Sequence, residues 1–233
     1  SSTQLYDAYA GYKYGDAFDI RIGKFKSPLG LEQLRSPTDL SFVENALLTQ
    51  FTPNRDIGLQ VSGSALDKKL SWQGGIFNGA ADDVLATGDD DDNKELVGRI
   101  FAEPVKGAGF GVAGSWGEKD GAVGTSILPS YRTPGRLTFF RYGTSSFADG
   151  EAWRIIPQGY FYRGPFSLLG EYAISAQEVR NAGNTASLEN TAWGVQAGWV
   201  LTGEDATYKS VSPKNPFDPR HGQWGAWEIA ARY

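Results

Sequence analysis

The chain has no cysteine and no methionine, and it has a single histidine. These absences exclude a catalytic cysteine and any metal site that needs several histidines from one chain. No run of 18 or more apolar residues is present, which excludes a membrane-spanning helix. Neither a Gly-x-Ser-x-Gly nucleophile elbow nor a P-loop sequence occurs. We therefore expect a protein that is not an enzyme and that holds no cofactor or metal.

What the sequence does contain is a two-residue alternation of apolar and polar side chains. Leu70, Trp72 and Ile76 share one parity, whereas Ser71 and Gln73 share the other. The same alternation recurs at 193–201 and at 227–233. Because successive side chains of a strand point to opposite faces, each segment has one face suited to an apolar medium and one suited to water. This pattern is typical of a transmembrane β-barrel.

Composition distinguishes such a barrel from a soluble β-sandwich. A sandwich fills its core with aliphatic side chains from two facing sheets. Here the polar parity is rich in Gly, Ser, Gln, Glu and Arg, the chain has 30 glycines, and aromatic residues make up 13%. The polar face is therefore expected to meet water. The formal net charge of -5 argues against a nucleic acid as a partner.

The alternating segments predict an all-β, antiparallel barrel with one domain over residues 1–233. A tilted membrane-crossing strand needs about 9–11 residues. Ten segments of about this length lie at 4–13, 17–26, 55–64, 69–78, 95–104, 108–118, 151–163, 166–179, 189–202 and 223–233. Residues 136–142 also have a strand-like composition, but a further crossing there would place a tight turn on the long-loop side. We assign them to a loop.

The predicted connections alternate between short turns and long loops, as in porin-type barrels. The long ones on one side are 27–54, 79–94, 119–150 and 180–188, and an unusually long connection on the short-turn side is 203–222. We expect 27–54, 119–150 and 203–222 to be the segments that fold into the lumen. Ser36 and Pro37 predict the start of a short helix in the first of these, with Leu40, Val43, Leu47 and Leu48 on one side.

Several short motifs resemble the phosphate-selective porin O and P family of Gram-negative outer membranes. The longest is IGKFKSPLGLE at 22–32. The others, in the family's order, lie at 41–45, 55–58, 138–140, 164–166, 170–172, 201–205 and 225–233. The resemblance implies a homotrimer of barrels with about sixteen strands each, set in outer-membrane lipid and lipopolysaccharide and conducting phosphate-like anions. It also implies that this chain is incomplete at both ends, although ten strands are able to close a narrow barrel.

Eight basic residues are candidates to line the pore and bind anions. Strand parity turns four of them inward, because a charge facing lipid costs roughly 2–4 kcal/mol: Arg21, Arg99, Arg154 and Arg232. The other four surround the first inward loop: Lys24, Lys26, Arg35 and Arg55. A ring of such cations attracts anions. The alternative for each is a wall network with acidic residues or a solvated loop. Segment 203–222 carries four more basic residues, which are either ordinary solvated turn charges or a second basic cluster: Lys209, Lys214, Arg220 and His221.

These features predict passive, anion-selective diffusion through a basic constriction. One alternative is a general porin, or one for organic substrates, in which inward arginines balance inward acids. Another is a structural or adhesive barrel that its own loops plug.

Overall fold

The computed structural model describes residues 5–86, 91–133, 135 and 137–233. Its strands in chain order are β1 Ala8–Tyr14, β2 Phe18–Phe25, β3 Asp56–Ala65, β4 Leu70–Phe77, β5 Glu95–Val105, β6 Ala108–Asp120, β7 Ser130–Arg132, β8 Thr138–Arg141, β9 Ser146–Arg163, β10 Phe166–Asn181, β11 Asn184–Val200, β12 Phe217–Asp218, β13 Gln223–Trp224 and β14 Glu228–Arg232. The helical segments are α1 Leu31–Leu34 and the 3-10 turns Pro37–Asp39, Leu47–Phe51 and Pro219–His221.

Ten strands form one antiparallel sheet in the order β1-β2-β3-β4-β5-β6-β9-β10-β11-β14. Strands β7 and β8 form a separate hairpin, as do β12 and β13. The prediction that residues 136–142 are not a further crossing is therefore confirmed, although 138–141 form strand β8 of a hairpin within the connection; residue 136 lies outside the described residues. Within the described chain, β1 and β14 are the edges of the sheet. No helix of the described segments is long and apolar enough to cross a membrane.

The predicted alternation gives the sheet two different faces. We call inner the face on which Phe25, Phe77 and Ile156 join loop residues in one buried cluster. The opposite, outer face exposes Leu96, Trp116 and many other large apolar side chains. Because residues paired across antiparallel strands lie on the same face, the register carries this division from β2 to β14. The inner cluster draws on six strands of the sheet, so the sheet curves around it.

Four connections cover the inner face. Segment 27–54 is fixed to β10, because the Glu171 carboxylate accepts the backbone N–H of Glu32 at 2.6 Å. Tyr131 of 119–150 stacks on Phe51 with ring centroids 4.7 Å apart. In 203–222, the Tyr208 hydroxyl donates to the Leu31 carbonyl at 2.5 Å. The three predicted inward segments are confirmed in this respect, and the sequence interpretation missed the fourth, 79–94, whose residues 80–82 are also buried.

The predicted helix after Ser36 is wrong in its extent. Ser36 does cap a turn, since its hydroxyl accepts the backbone N–H of Thr38, but the turn ends at Asp39. Val43 is 99% exposed and not on a packed side. The physical reason is tertiary: the Ala46 backbone N–H donates to the carboxylate of Glu32 at 3.1 Å instead of to a helical carbonyl.

Other corrections concern the ends of strands. The predicted long loop 180–188 is wrong, because β10 and β11 meet at a two-residue turn. Ala182 and Gly183 both have positive φ, 48° and 86°, as a type I′ hairpin turn requires. The last predicted strand, 223–233, starts too early, since residues 223 and 224 pair with β12 instead. The first, 4–13, is observed from Ala8, and residue 4 lies outside the described residues.

Candidate functional site

Arg154 is the centre of a buried ion network on the inner face. Its Nε donates to Asp82 Oδ1 at 2.6 Å, and its Nη1 donates to Glu95 Oε1 and, at 3.1 Å, to Ser115 Oγ. The side chains of this arginine and of both carboxylates are no more than 4% exposed. Arg154 therefore faces inward as predicted, but two carboxylates balance its charge, and it belongs to a wall network.

Asp82 also ties two other elements to this network. Its Oδ2 accepts the Tyr131 hydroxyl at 3.2 Å and the Ser175 hydroxyl at 3.1 Å. Asp82 thus joins segment 79–94 to the wall and to the β7–β8 hairpin. Sequence reasoning missed this residue, because it lies 72 positions from Arg154 in a segment without periodicity.

Arg99 has a different environment on the same face. Its Nε donates to Gln158 Oε1 at 3.1 Å, and its Nη1 donates to Gln73 Oε1 at 3.3 Å. Its guanidinium lies 4.6 Å from the centroid of the Phe101 ring. Both hydrogen-bond partners are neutral amides. Arg99 has no carboxylate ion pair among the described residues, and the buried carboxylate of Glu171 interacts with its charge from a longer distance.

Arg35 follows α1 and is almost completely buried. Its Nη2 donates to the Asp39 carbonyl, and its guanidinium lies 5.6 Å from the centroid of the Tyr208 ring. Its Nε and Nη1 are buried without a hydrogen-bond partner. A cavity of about 120 Å³ that includes Ser167 and Thr207 adjoins the side chain. Buried donors without partners are costly and mark a site for an acceptor.

Lys26 lies close to both Arg35 and Arg55. Lys26 Nζ donates to the Arg35 carbonyl at 2.6 Å. Burial lowers the pKa of Lys26, and the nearby charge of Arg55 lowers it further. Arg55 is paired with Asp7, with Nε and Oδ1 2.9 Å apart. Of Lys26 and Arg55, only Arg55 has a carboxylate partner within ion-pair distance in the described chain.

Lys24 does not share the inner face. It pairs across the sheet with Ile57 and follows the parity of Ile22, opposite to that of Arg21 and Phe25. The prediction that Lys24 lines the pore is therefore wrong, because strand alternation turns its side chain to the other side of the sheet.

Arg21 and Arg232 both face inward and both have acidic partners. Arg21 Nε lies 3.1 Å from Asp19 Oδ1. Arg232 Nη1 lies 3.3 Å from Glu32 Oε1 and donates to the Glu44 carbonyl at 2.9 Å. The two contacts of Arg232 fix segment 27–54 to β14. The inward parity of these residues is as predicted, and their charges are balanced, as the wall-network alternative expected.

Three tyrosines form an aromatic cluster at the short-turn end of the inner face. The rings of Tyr160 and Tyr208 stack with centroids 5.2 Å apart, and that of Tyr162 lies 5.3 Å from Tyr160. The Tyr160 hydroxyl donates to Glu103 at 2.6 Å. Sequence reasoning missed the cluster, although the shared parity of Tyr160, Tyr162 and Arg154 indicates that both tyrosines face inward.

A curved antiparallel sheet with an apolar outer face, and a polar inner face covered by its own loops, is the wall of a porin-type β-barrel. The family model for phosphate-selective porin O and P matches residues 1–233, the whole chain. The chain belongs to this family, which confirms the resemblance and the fold class. No curated protein matches the sequence. Membership supports a phosphate-selective outer-membrane porin in general, and it implies a channel rather than an enzyme.

Proposed function

We propose that the protein conducts small anions passively through a basic constriction in which Arg99 is the principal charge and Arg35 and Lys26 are the secondary ones. The observation that carries this proposal is the set of neutral partners around Arg99. Its two hydrogen bonds go to the amides of Gln73 and Gln158. Amide partners orient the guanidinium without neutralising its charge, which the more distant Glu171 offsets only in part.

The electrostatic consequence follows from the position of Arg99. An arginine stays protonated at every working pH, and a fixed cation in a narrow passage attracts anions and repels cations. Nη2 of Arg99 has no hydrogen-bond partner in the described chain, so it remains available to an oxyanion. Charge-assisted hydrogen bonds of this kind are about twice as strong as neutral ones.

Arg35 supports the proposal independently. Its two unpartnered nitrogen atoms are buried next to a polar cavity, and an anion oxygen in contact with them would supply the acceptor that they lack. Lys26 adds a further positive charge beside it. Arg21, Arg55, Arg154 and Arg232 act in this proposal as wall charges, because each has a carboxylate partner.

The proposal includes a setting in a Gram-negative outer membrane, with lipopolysaccharide and a homotrimeric assembly. The exposed outer face supports the membrane setting, because it carries aromatic side chains such as Trp116, Trp193 and Trp199. Girdles of aromatic residues are typical of the outer surfaces of these barrels. Family membership supports the preference for phosphate-like ions, and the trimer is part of the proposal.

The test is the reversal potential of the purified protein in planar bilayers under a KCl gradient. The wild type is expected to favour chloride, and Arg99→Gln is expected to move the reversal potential toward zero. Glutamine removes the charge and keeps one polar donor group, on a shorter side chain. Arg180→Gln is the matched control, since Arg180 is an exposed arginine paired with Asp149 at 2.6 Å.

The possible outcomes separate the three functions. An anion-selective current that depends on Arg99 supports the proposal. An unselective current in the wild type indicates a general porin, and the absence of current indicates a plugged structural barrel. Equal reversal potentials for the wild type and Arg99→Gln would remove Arg99 from the mechanism.

A further inference from the structure

A second cavity, of about 550 Å³, lies at the short-turn end of the inner face. Strand β9, the turn between β5 and β6, and segment 203–222 contribute to its wall. Binding sites for small organic molecules typically enclose about 300–1,000 Å³. The cavity is therefore of the size that suits an organic ligand, in contrast to the smaller cavity at Arg35.

One part of its lining is aromatic and held in place. Tyr160, Tyr162 and Tyr208 line the cavity. Hydrogen bonds fix two of their hydroxyls, that of Tyr160 to Glu103 and that of Tyr208 to the Leu31 carbonyl. Such preorganisation reduces the entropy cost of binding. These rings pack on one another and on Phe101 and Arg35, and the ring surface that still lines the cavity provides apolar area for the C–H groups of a sugar ring.

Another part of the lining is charged, with both signs present. Lys106, Arg163 and Lys209 line the cavity and have no ion pair in the described part of the chain. Two carboxylates line it too: Glu103, which is bonded to Tyr160, and Asp205, which is exposed. A carboxylate repels a bare inorganic anion, whereas it accepts hydrogen bonds from the hydroxyls of a polyol. The combination favours a ligand that has an anionic group and hydroxyl groups together.

We infer that this cavity binds phosphorylated sugars. The three cations contact the phosphate, the tyrosine rings pack against the sugar, and Asp205 accepts hydrogen bonds from sugar hydroxyls. The inference rests on the proposed function, since an anion-conducting channel brings such a ligand to its mouth. The proposed substrates are sugar phosphates, in which the channel recognises the neutral sugar as well as the phosphate.

The experiment compares block of the chloride current by glucose 6-phosphate and by inorganic phosphate, each added on the side that the short turns face. Glucose 6-phosphate is expected to block the wild type at about tenfold lower concentration, the gain expected from one ring contact and one hydrogen bond. Asp205→Asn is expected to weaken block by glucose 6-phosphate and to strengthen block by inorganic phosphate. The opposite signs distinguish hydrogen bonding from a general change of charge.

Asp67→Asn is the matched control, because Asp67 is an exposed carboxylate of the turn between β3 and β4 and does not line the cavity. It is expected to leave both blocks unchanged. Equal block of the wild type by the two compounds, or shifts of the same sign in Asp205→Asn, would overturn the inference. Reversal potentials are measured separately, so loss of anion selectivity counts against the proposed function, and failure of the sugar-phosphate block counts against this inference alone.

Discussion

Replacing Arg154 by glutamine tests whether the buried ion network stabilises the barrel wall without setting its selectivity. The substitution removes the cation that is hydrogen-bonded to the buried carboxylates of Asp82 and Glu95, since the three side chains are 4%, 2% and 3% exposed. Lys119, also buried and near enough to interact with both carboxylates, is then their remaining cation. Removing one partner of a buried pair costs about 3–5 kcal/mol. We expect the free energy of unfolding to fall by about that amount. The reversal potential is expected to stay close to that of the wild type.

The measurement is urea unfolding of the protein in lipid vesicles, followed by the fluorescence of its seven tryptophans. Arg180→Gln is again the control, because exposed ion pairs contribute only about 0.2–1 kcal/mol. Adding Asp82→Asn and Glu95→Gln to the Arg154 variant is expected to restore most of the lost stability, since the two carboxylates that lost Arg154 are then neutral and Asp56 still offsets the charge of Lys119. A loss below about 1 kcal/mol for Arg154→Gln would refute the reasoning, because that is the size of a surface pair.

Two further predictions concern packing and pH. Gly75→Ala is expected to lower the free energy of unfolding by about 1–3 kcal/mol, because its new Cβ would lie 2.6 Å from the Leu59 carbonyl oxygen. Gly74→Ala is the control and is expected to change the free energy of unfolding little, because the space around Gly74 is open. Equal urea midpoints for the two variants would contradict the prediction. Since burial and Arg55 lower the pKa of Lys26, its charge is lost at a lower pH than that of an exposed lysine. Anion preference is therefore expected to fall earlier on the alkaline side in the wild type than in Lys26→Arg, and matching pH profiles of the reversal potential would exclude Lys26.

The two central arginines show how far sequence reasoning reaches. Parity correctly turned both Arg99 and Arg154 to the inner face, because the period of a strand is two and one face is apolar. It did not distinguish their roles. Arg154 meets Asp82 and Glu95, which are 72 and 59 positions away, whereas Arg99 meets two amides. Partners at such separations depend on strand register and loop packing.

The loops show the same limit from the other side. Ser36 and Pro37 correctly marked the start of a helical turn, since capping depends on adjacent residues. The continuation through Val43 was wrong, because the side chain of Glu32 captures the Ala46 backbone N–H. Similarly, the turn at Ala182 and Gly183 was overlooked within residues that were polar enough to be interpreted as a loop.

The sequence alone determined the two-faced wall, the inward parity of its arginines and the family, because alternation and short motifs are local properties of the chain. Tertiary structure alone decided which cations lack an ion pair, which segments cover the inner face, and where tyrosines and charges enclose a cavity. The physical reason is that net charge and space at a site depend on groups that only folding brings within a few ångströms of one another.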